Sequence, residues 1–385
     1  MKKVITIMIG LLMVISLIGC TNGAPTQESA GQSASEAPSE ASASGEPAAP
    51  TEAASEASAP ADNPIAGAAV DENGKPYVLG YVTNETSSGW NSFGLAYLKG
   101  IWEAAGGEFI SYVSDYDLDK EVSMFNDLKQ MKPNAILVHP SDSYAIAPTV
   151  KTAMDEGYPV FAVDMGVIGA DVTSYISVDQ VEMGRQCAKY VMAQFSEQNP
   201  GVILEIAGGL EQDGAQKRQK GFHEIMDQCN YCEIVQVIDT GWSSDVAFDG
   251  IQDAFEVNDN INCIYSHSDF MMQGVIEGLR VKDKLVPAGQ NGHIIIASID
   301  GDSTGLKAIR DGYVDMIAEN SPLMHMAVTV NAILSKLYGT DPEAEYSLPV
   351  NVITAENVAD ETLWGNLEVG AAPYVEQDVC PLPTR

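Results

Sequence analysis

The sequence predicts an α/β protein built as two doubly wound, Rossmann-like lobes, and three observations carry that class. Short apolar strand segments alternate with helical segments from Val78 onward. The alternation falls into two βα series, the second opening at VILEIA, residues 202–207. The strands are predominantly apolar, as in a parallel sheet covered on both faces.

The first series begins with strand VLGYV (78–82) and a helix over 92–105, whose apolar residues fall at three- and four-residue steps. Strand 108–113, helix 119–131, strand 135–138, helix 143–156 and strand 159–163 follow, then strand 174–178 and helix 181–195. The second series runs through helix 213–228, strand 233–238, helix 246–256, strand 263–266 and helix 270–281. Strand 293–299, helix 303–311, strand 314–318, a long helix 323–338 and a short strand 350–353 complete it.

Two strands end in a carboxylate. YPVFAVD delivers Asp164 and HIIIASID delivers Asp300. An isolated buried carboxylate is costly, so an acid at a strand tip meets solvent, a helix to cap or a ligand. Doubly wound sheets bind ligands at the carboxyl ends of their strands. Asp164 and Asp300 belong to different series, so they are expected to face each other across an interlobe cleft.

The N-terminal segment MKKVITIMIGLLMVISLIGC has a charged start and an apolar run too short for an ordinary membrane span, the layout of a secretory signal. Its last residues, Leu17-Ile18-Gly19-Cys20, resemble a bacterial lipobox, which implies lipidation (palmitate among the acyl groups) at Cys20. From Thr21 to about Pro64 the chain is Ala, Ser, Glu, Pro and Gly, with no aromatic residue. Such sequence cannot offset chain entropy and is expected to act as a tether.

The net charge of −34 lies mostly beyond Lys75, since residues 1–75 hold only nine acids and three bases. Such a surface argues against nucleic acid or anionic lipid as partner. Cys187, Cys229, Cys232, Cys263 and Cys380 remain after Cys20. The Cys229–Cys232 spacing fits a local disulfide or two idle thiols. No second such pair exists to complete a zinc site. No G-x-S-x-G, H-E-x-x-H or Walker loop occurs, so neither enzyme chemistry nor a cofactor is expected.

Several ordered matches then appear: Trp90-Asn91-Ser92-Phe93 at the first helix; HPSDSYAIAPTVKTAMDEGYPVFAVD at 139–164; KRQKGF at 217–222; SDFMMQGV at 268–275; and SIDG at 298–301. Over residues 77–353 the chain resembles the periplasmic binding proteins (type I) of the ribose-binding kind, receptors of sugar ABC importers. The resemblance implies two lobes joined by a three-strand hinge, with an N-terminal lobe of residues 76–180 plus 320–349 and a C-terminal lobe of 181–319 plus 350–368. Residues 1–20 would be the signal, 21–75 the tether and 369–385 a tail of no assigned role.

It also implies a sugar site of Trp90, Asn91, Phe93, Asp164, Arg218, Trp242, Ser268, Asp269, Asp300 and Glu319. The residue types suit a polyol. Carboxylates accept hydroxyl protons, an arginine fork donates, and aromatics cover a ring's C–H face. Each has a plainer alternative: a helix cap for the acids, an exposed helix position for Arg218, a core position for Trp242 or Phe93.

The chain departs from the ribose pattern at Met165, where an arginine is usual, at Ser268 in place of Asn, and at Glu319 in place of Gln. These changes imply a ligand other than ribose: another hexose, pentose or polyol, a less polar ring, or a net positive molecule. The implied protein is a monomeric extracytoplasmic lipoprotein partnered by its solute, by permease subunits and, through Cys20, by the membrane. The same fold also serves as a ligand sensor for a chemoreceptor or histidine kinase.

Overall fold

A computed structural model of the chain describes residues 64–368, 372–375 and 377–385. The expected signal, Cys20 and most of the expected tether therefore lie outside the described residues.

The first sheet has six strands in the order β11-β5-β4-β3-β1-β2. They are β1 (Val78–Thr83), β2 (Glu108–Val113), β3 (Ala135–His139), β4 (Val160–Val163), β5 (Ser174–Val178) and β11 (Glu345–Leu348), all parallel. The second sheet runs β12-β10-β9-β8-β6-β7. Its members are β6 (Gly201–Ala207), β7 (Cys232–Asp239), β8 (Cys263–Ser266), β9 (Ile295–Asp300), β10 (Met316–Glu319) and β12 (Val352–Thr354), with only β12 antiparallel to its neighbour.

Nine α-helices are described: α1 (Gly89–Ala104), α2 (Leu118–Gln130), α3 (Ala147–Asp155), α4 (Gln180–Met192), α5 (Asp213–Met226), α6 (Ser244–Val257), α7 (Met272–Val281), α8 (Ser303–Arg310) and α9 (Pro322–Leu337). The chain moves from the first sheet to the second after β5, returns after β10, and crosses again between β11 and β12. Three crossings let two lobes move about one hinge.

The central strands β3 and β4 are buried at every residue, which is why they read as unbroken apolar runs. Edge strand β11, EYSL, has exposed Glu345 and Ser347, half-buried Tyr346 and only Leu348 buried, so it carries no such signal; it was not expected from the sequence. Helix α3 starts at Ala147 rather than 143, because the segment Ser141–Ile146 forms a turn stitched by Asp142 to the amides of Tyr144 and Ala145.

One close approach determines the site. Helices α4 and α5 cross at Gly184 and Gly221, and a Cβ on Gly221 would stand 1.9 Å from the carbonyl of Val181. A Cβ on Gly184 would stand 2.1 Å from the carbonyl of Arg218. Only glycine permits that contact, and it seats Arg218 against Gln180 at the start of α4.

The C-terminal residues wrap the first lobe. Tyr97 Oη donates to the carbonyl of Pro373 at 3.2 Å, Tyr374 Oη to Asn331 Oδ1 at 2.9 Å, and Asn331 Nδ2 to the carbonyl of Cys380 at 2.6 Å. Arg385 lies over the Tyr338 ring, 5.1 Å from its centre. All five described cysteines are free thiols, so Cys229 and Cys232 form no bridge and Cys380 pairs with none.

Candidate functional site

A cavity of about 40 Å³ lies between the two sheets, lined by residues at or just after the carboxyl ends of strands from both. Asn84 and Glu85 follow β1, Tyr116 follows β2, His139 ends β3 and Asp164 follows β4. From the second sheet come Gln212 after β6, Trp242 after β7, Ser268 after β8, Asp300 at the end of β9 and Asn320 after β10.

The backbone is strained here. Seven described non-glycine residues have positive φ, and four of them line the cavity: Tyr116 (58°), Asp164 (59°), Trp242 (63°) and Asp300 (119°). Such conformations cost free energy and persist only where the surroundings hold them. They are held. The carbonyl of Asp164 accepts from Tyr175 Oη at 2.7 Å and Ser177 Oγ at 3.0 Å, and that of Asp300 accepts from Trp364 Nε1 at 2.9 Å.

Arg218 stands between the two acids, 3.9 Å from Asp164 Oδ1 and 3.9 Å from Asp300 Oδ1. Two of its donors are committed elsewhere: Nε to Gln180 Oε1 at 2.7 Å, Nη1 to the carbonyl of His267 at 2.6 Å. Its guanidinium also lies over Trp242, 5.5 Å from the ring centre. Asn320 Nδ2 donates to Asp164 Oδ1 at 3.1 Å and to Asp300 Oδ1 at 3.3 Å.

The two acids differ in proton affinity. Burial pushes Asp164 up, but the His139 contact and the Arg218 charge outweigh it, so its pKa lies below the ordinary carboxylate range. At Asp300 burial dominates, reinforced by Asp302 and Asp164 against Arg218 and Ser268, and its pKa rises to about 7. Two nearby carboxylates with opposed shifts are a feature of functional clefts.

Trp90 lies edge-on to His139 and His325, with ring centres 5.3 and 5.2 Å apart, and donates Nε1 to the carbonyl of Asn320 at 2.9 Å. Asn91 gives its amide hydrogens to Asn84 and Glu85, which leaves its oxygen to accept from His139 Nδ1 at 2.8 Å. His139 Nε2 is then without a hydrogen-bond partner, 3.5 Å from Asp164 Oδ2 and facing the cavity. It is suited to meet a ligand hydroxyl.

Of the residues expected at the site, Trp90, Asn91, Asp164, Arg218, Trp242, Ser268 and Asp300 line the cavity together. Phe93, Asp269 and Glu319 do not. Phe93 sits one helical turn along α1 from the cleft and packs in the core on Tyr97 and Trp364. Asp269 turns behind the wall, accepting from Ser298 Oγ at 2.6 Å and the amide of Gly301 at 2.8 Å. Glu319 faces the hinge, where Asn351 Nδ2 donates to it at 2.8 Å.

Glu85, His139, Gln212, Asp302 and Asn320 were not anticipated. His139 ends β3 and Asn320 follows β10, so the reasoning that found Asp164 applied to them also.

Other bonds close the cleft on its far side. Asp213, at the start of α5, accepts from Ser143 Oγ at 3.2 Å and from the amide of Gly166 at 2.7 Å. Ser143 Oγ accepts in return from the Asp213 amide at 3.1 Å, and Gln212 Nε2 donates to the carbonyl of Pro140 at 2.8 Å. Ser143, Gly166 and Pro140 come from first-lobe loops and the donors and acceptors they meet from the second, so the lobes are closed on each other.

Two lobes of this topology, closed over a polar and aromatic cavity at their strand ends, define a solute-binding fold. Residues 79–341 match the model of the periplasmic binding protein domain, and the chain belongs to that family. Its relatives are solute-binding proteins rather than enzymes. It is 23% identical over 285 residues to the ribose import binding protein of Bacillus subtilis, covering 73% of this chain and 88% of that one. It is 25% identical over 311 residues to the fructose import binding protein of Bifidobacterium longum, covering 78% and 90%. Among solved structures, an ABC transporter solute binding protein from Bacillus halodurans with bound myo-inositol superposes with a TM-score of 0.66 at 20% identity, over 73% of this chain and 96% of that one.

Proposed function

We propose that this chain is an extracytoplasmic solute-binding lipoprotein that captures a monosaccharide or similar small polyhydroxy ligand in the interlobe cleft and delivers it to an ABC importer. One observation carries the reading: Asp164 and Asp300, from strand ends of different sheets, line one cavity with Arg218 between them. A ligand bridging both acids binds the closed form better than the open one and so draws the lobes together. Trp90 and Trp242 offer faces for a sugar ring, and His139 lines the same cavity. Names of relatives such as the ribose and fructose import binding proteins support the ligand class. The lipid anchor rests on the sequence around Cys20.

A thermal-shift panel of sugars, polyols and nucleosides tests the reading. A ligand that binds only the folded protein must raise its melting temperature. A rise with a sugar or polyol is expected; a panel in which only nucleosides or other non-polyols act contradicts it. Loss of palmitate labelling in Cys20→Ser tests the anchor, and undiminished labelling refutes it.

A further inference from the structure

Resting on that reading of the cleft, we infer that its ligand is a polyhydroxy compound carrying a protonated amine, with the ammonium seated against Asp300, Asp302 and Asn320. Four carboxylates line the cavity, those of Glu85, Asp164, Asp300 and Asp302, and no lysine does. They are not equally satisfied. Glu85 is saturated by its own loop, accepting from the side chains of Ser87, Ser88 and Asn91 and from two backbone amides. Asp164 has His139 and the Asn320 and Gln180 amides.

Asp300 and Asp302 hold a different corner. Asp302 caps α8 through the amide of Gly305 at 2.8 Å and, among the described residues, has no cation acting on it. Asp300 has Ser268 Oγ, a share of Asn320 Nδ2 and a guanidinium that stands 3.9 Å off with other bonds to keep.

An independent sign points the same way. Asn320 Oδ1 is an acceptor, only 1% of the residue is exposed, and it has no partner. The amide cannot be reversed to explain this, since its nitrogen donates to both Asp164 and Asp300. This corner thus gathers acceptors and lacks donors.

A hydroxyl brings one donor and adds lone pairs of its own. An ammonium brings three donors, no acceptor and a positive charge. Burial raises the proton affinity of both Asp300 and Asp302, and at Asp300 the Asp302 charge adds to it against Arg218. Tyr116 and Phe270 add aromatic surface to the same cavity, which a cation also favours.

Calorimetry of the full chain at pH 7 tests this with matched probes: glucose, glucosamine and N-acetylglucosamine; galactose, galactosamine and N-acetylgalactosamine; myo-inositol and its monoamino-deoxy analogue. In at least one series the amine should bind about tenfold or more tighter than its hydroxyl parent, a charge-assisted contact replacing a neutral one. N-acetylation should remove the advantage. Asp302→Asn should shrink it, lowering the ratio of amine to parent affinity about threefold or more. Parents that bind as tightly as their amines overturn the inference and leave the polyhydroxy reading standing. An amine advantage that survives Asp302→Asn and Asp300→Asn undiminished overturns the seat. Failure of every probe, amine and neutral alike, overturns the polyhydroxy reading and the inference with it.

Discussion

Asp164 and Asp300 end strands in separate sheets, yet the same amide, Asn320 Nδ2, donates to both, at 3.1 and 3.3 Å. Arg218 lies at 3.9 Å from each. Charge repulsion between the acids is thus offset only while the lobes are closed on these two groups. Opening the cleft would hydrate both carboxylates, so changes at this cluster act on closure and binding more than on folding.

Arg218→Ala and Asp164→Ala are accordingly expected to lose most ligand affinity, about a hundredfold or more, because each leaves a buried charge unpaired in the closed form. Melting temperature without ligand should fall little. Calorimetry beside a thermal melt checks both halves, and unchanged affinity removes these residues from the site.

Asp300 gives a pH dependence with a definite sign. Its pKa is 3.8 ordinarily and about 7 in the closed protein, so the closed state binds an extra proton between those values. Stability from this group is therefore lost as pH rises through that window. Asp300→Asn carries no charge to bury. Its ligand-free melting temperature should exceed the wild type's by a few degrees at pH 8 and by less at pH 5. A gap that widens toward pH 5 contradicts the assignment.

The Asp213 latch forms only between closed lobes. Asp213→Ala removes the acceptor for Ser143 and for the Gly166 amide, two bonds of about 1 kcal/mol each. Ligand affinity should drop about tenfold or somewhat more, mostly through faster dissociation. Stopped-flow release kinetics would show it; unaltered release speaks against a latch.

Thiol titration examines the cysteines. Cys187, Cys263 and Cys380 are buried, while Cys229 and Cys232 are half-buried at the surface, and all are unbridged. The native protein should react slowly at those two and expose all five on denaturation. Reductant should not move the melting temperature.

Much of this arrangement was legible because burial leaves a plain trace. Strands 174–178 and 263–266, buried at nearly every residue, match to the residue; edge strand 108–113 matches too, through its strand propensity between turn residues. The exposed edge strand β11 left none. At the site, the acids at the tips of β4 and β9 were visible from position alone. Phe93, Asp269 and Glu319 lie off the cavity, Phe93 a helical turn beyond Trp90 and the other two a single residue from the lining Ser268 and Asn320, where one step reverses which side of a wall a side chain meets. Asn84, Glu85 and Gln212 lie in loops, where no periodicity records direction. The orphaned Asn320 oxygen is a property of three-dimensional pairing and has no sequence signature.

The most direct test is a crystal structure of residues 64–385 with the ligand that most raises the melting temperature. The account predicts that molecule between the sheets, with polar groups within hydrogen-bond distance of Asp164, Asp300 and Arg218 at once. A ligand bound on one lobe's outer surface, or in the cleft without touching either acid, would contradict it.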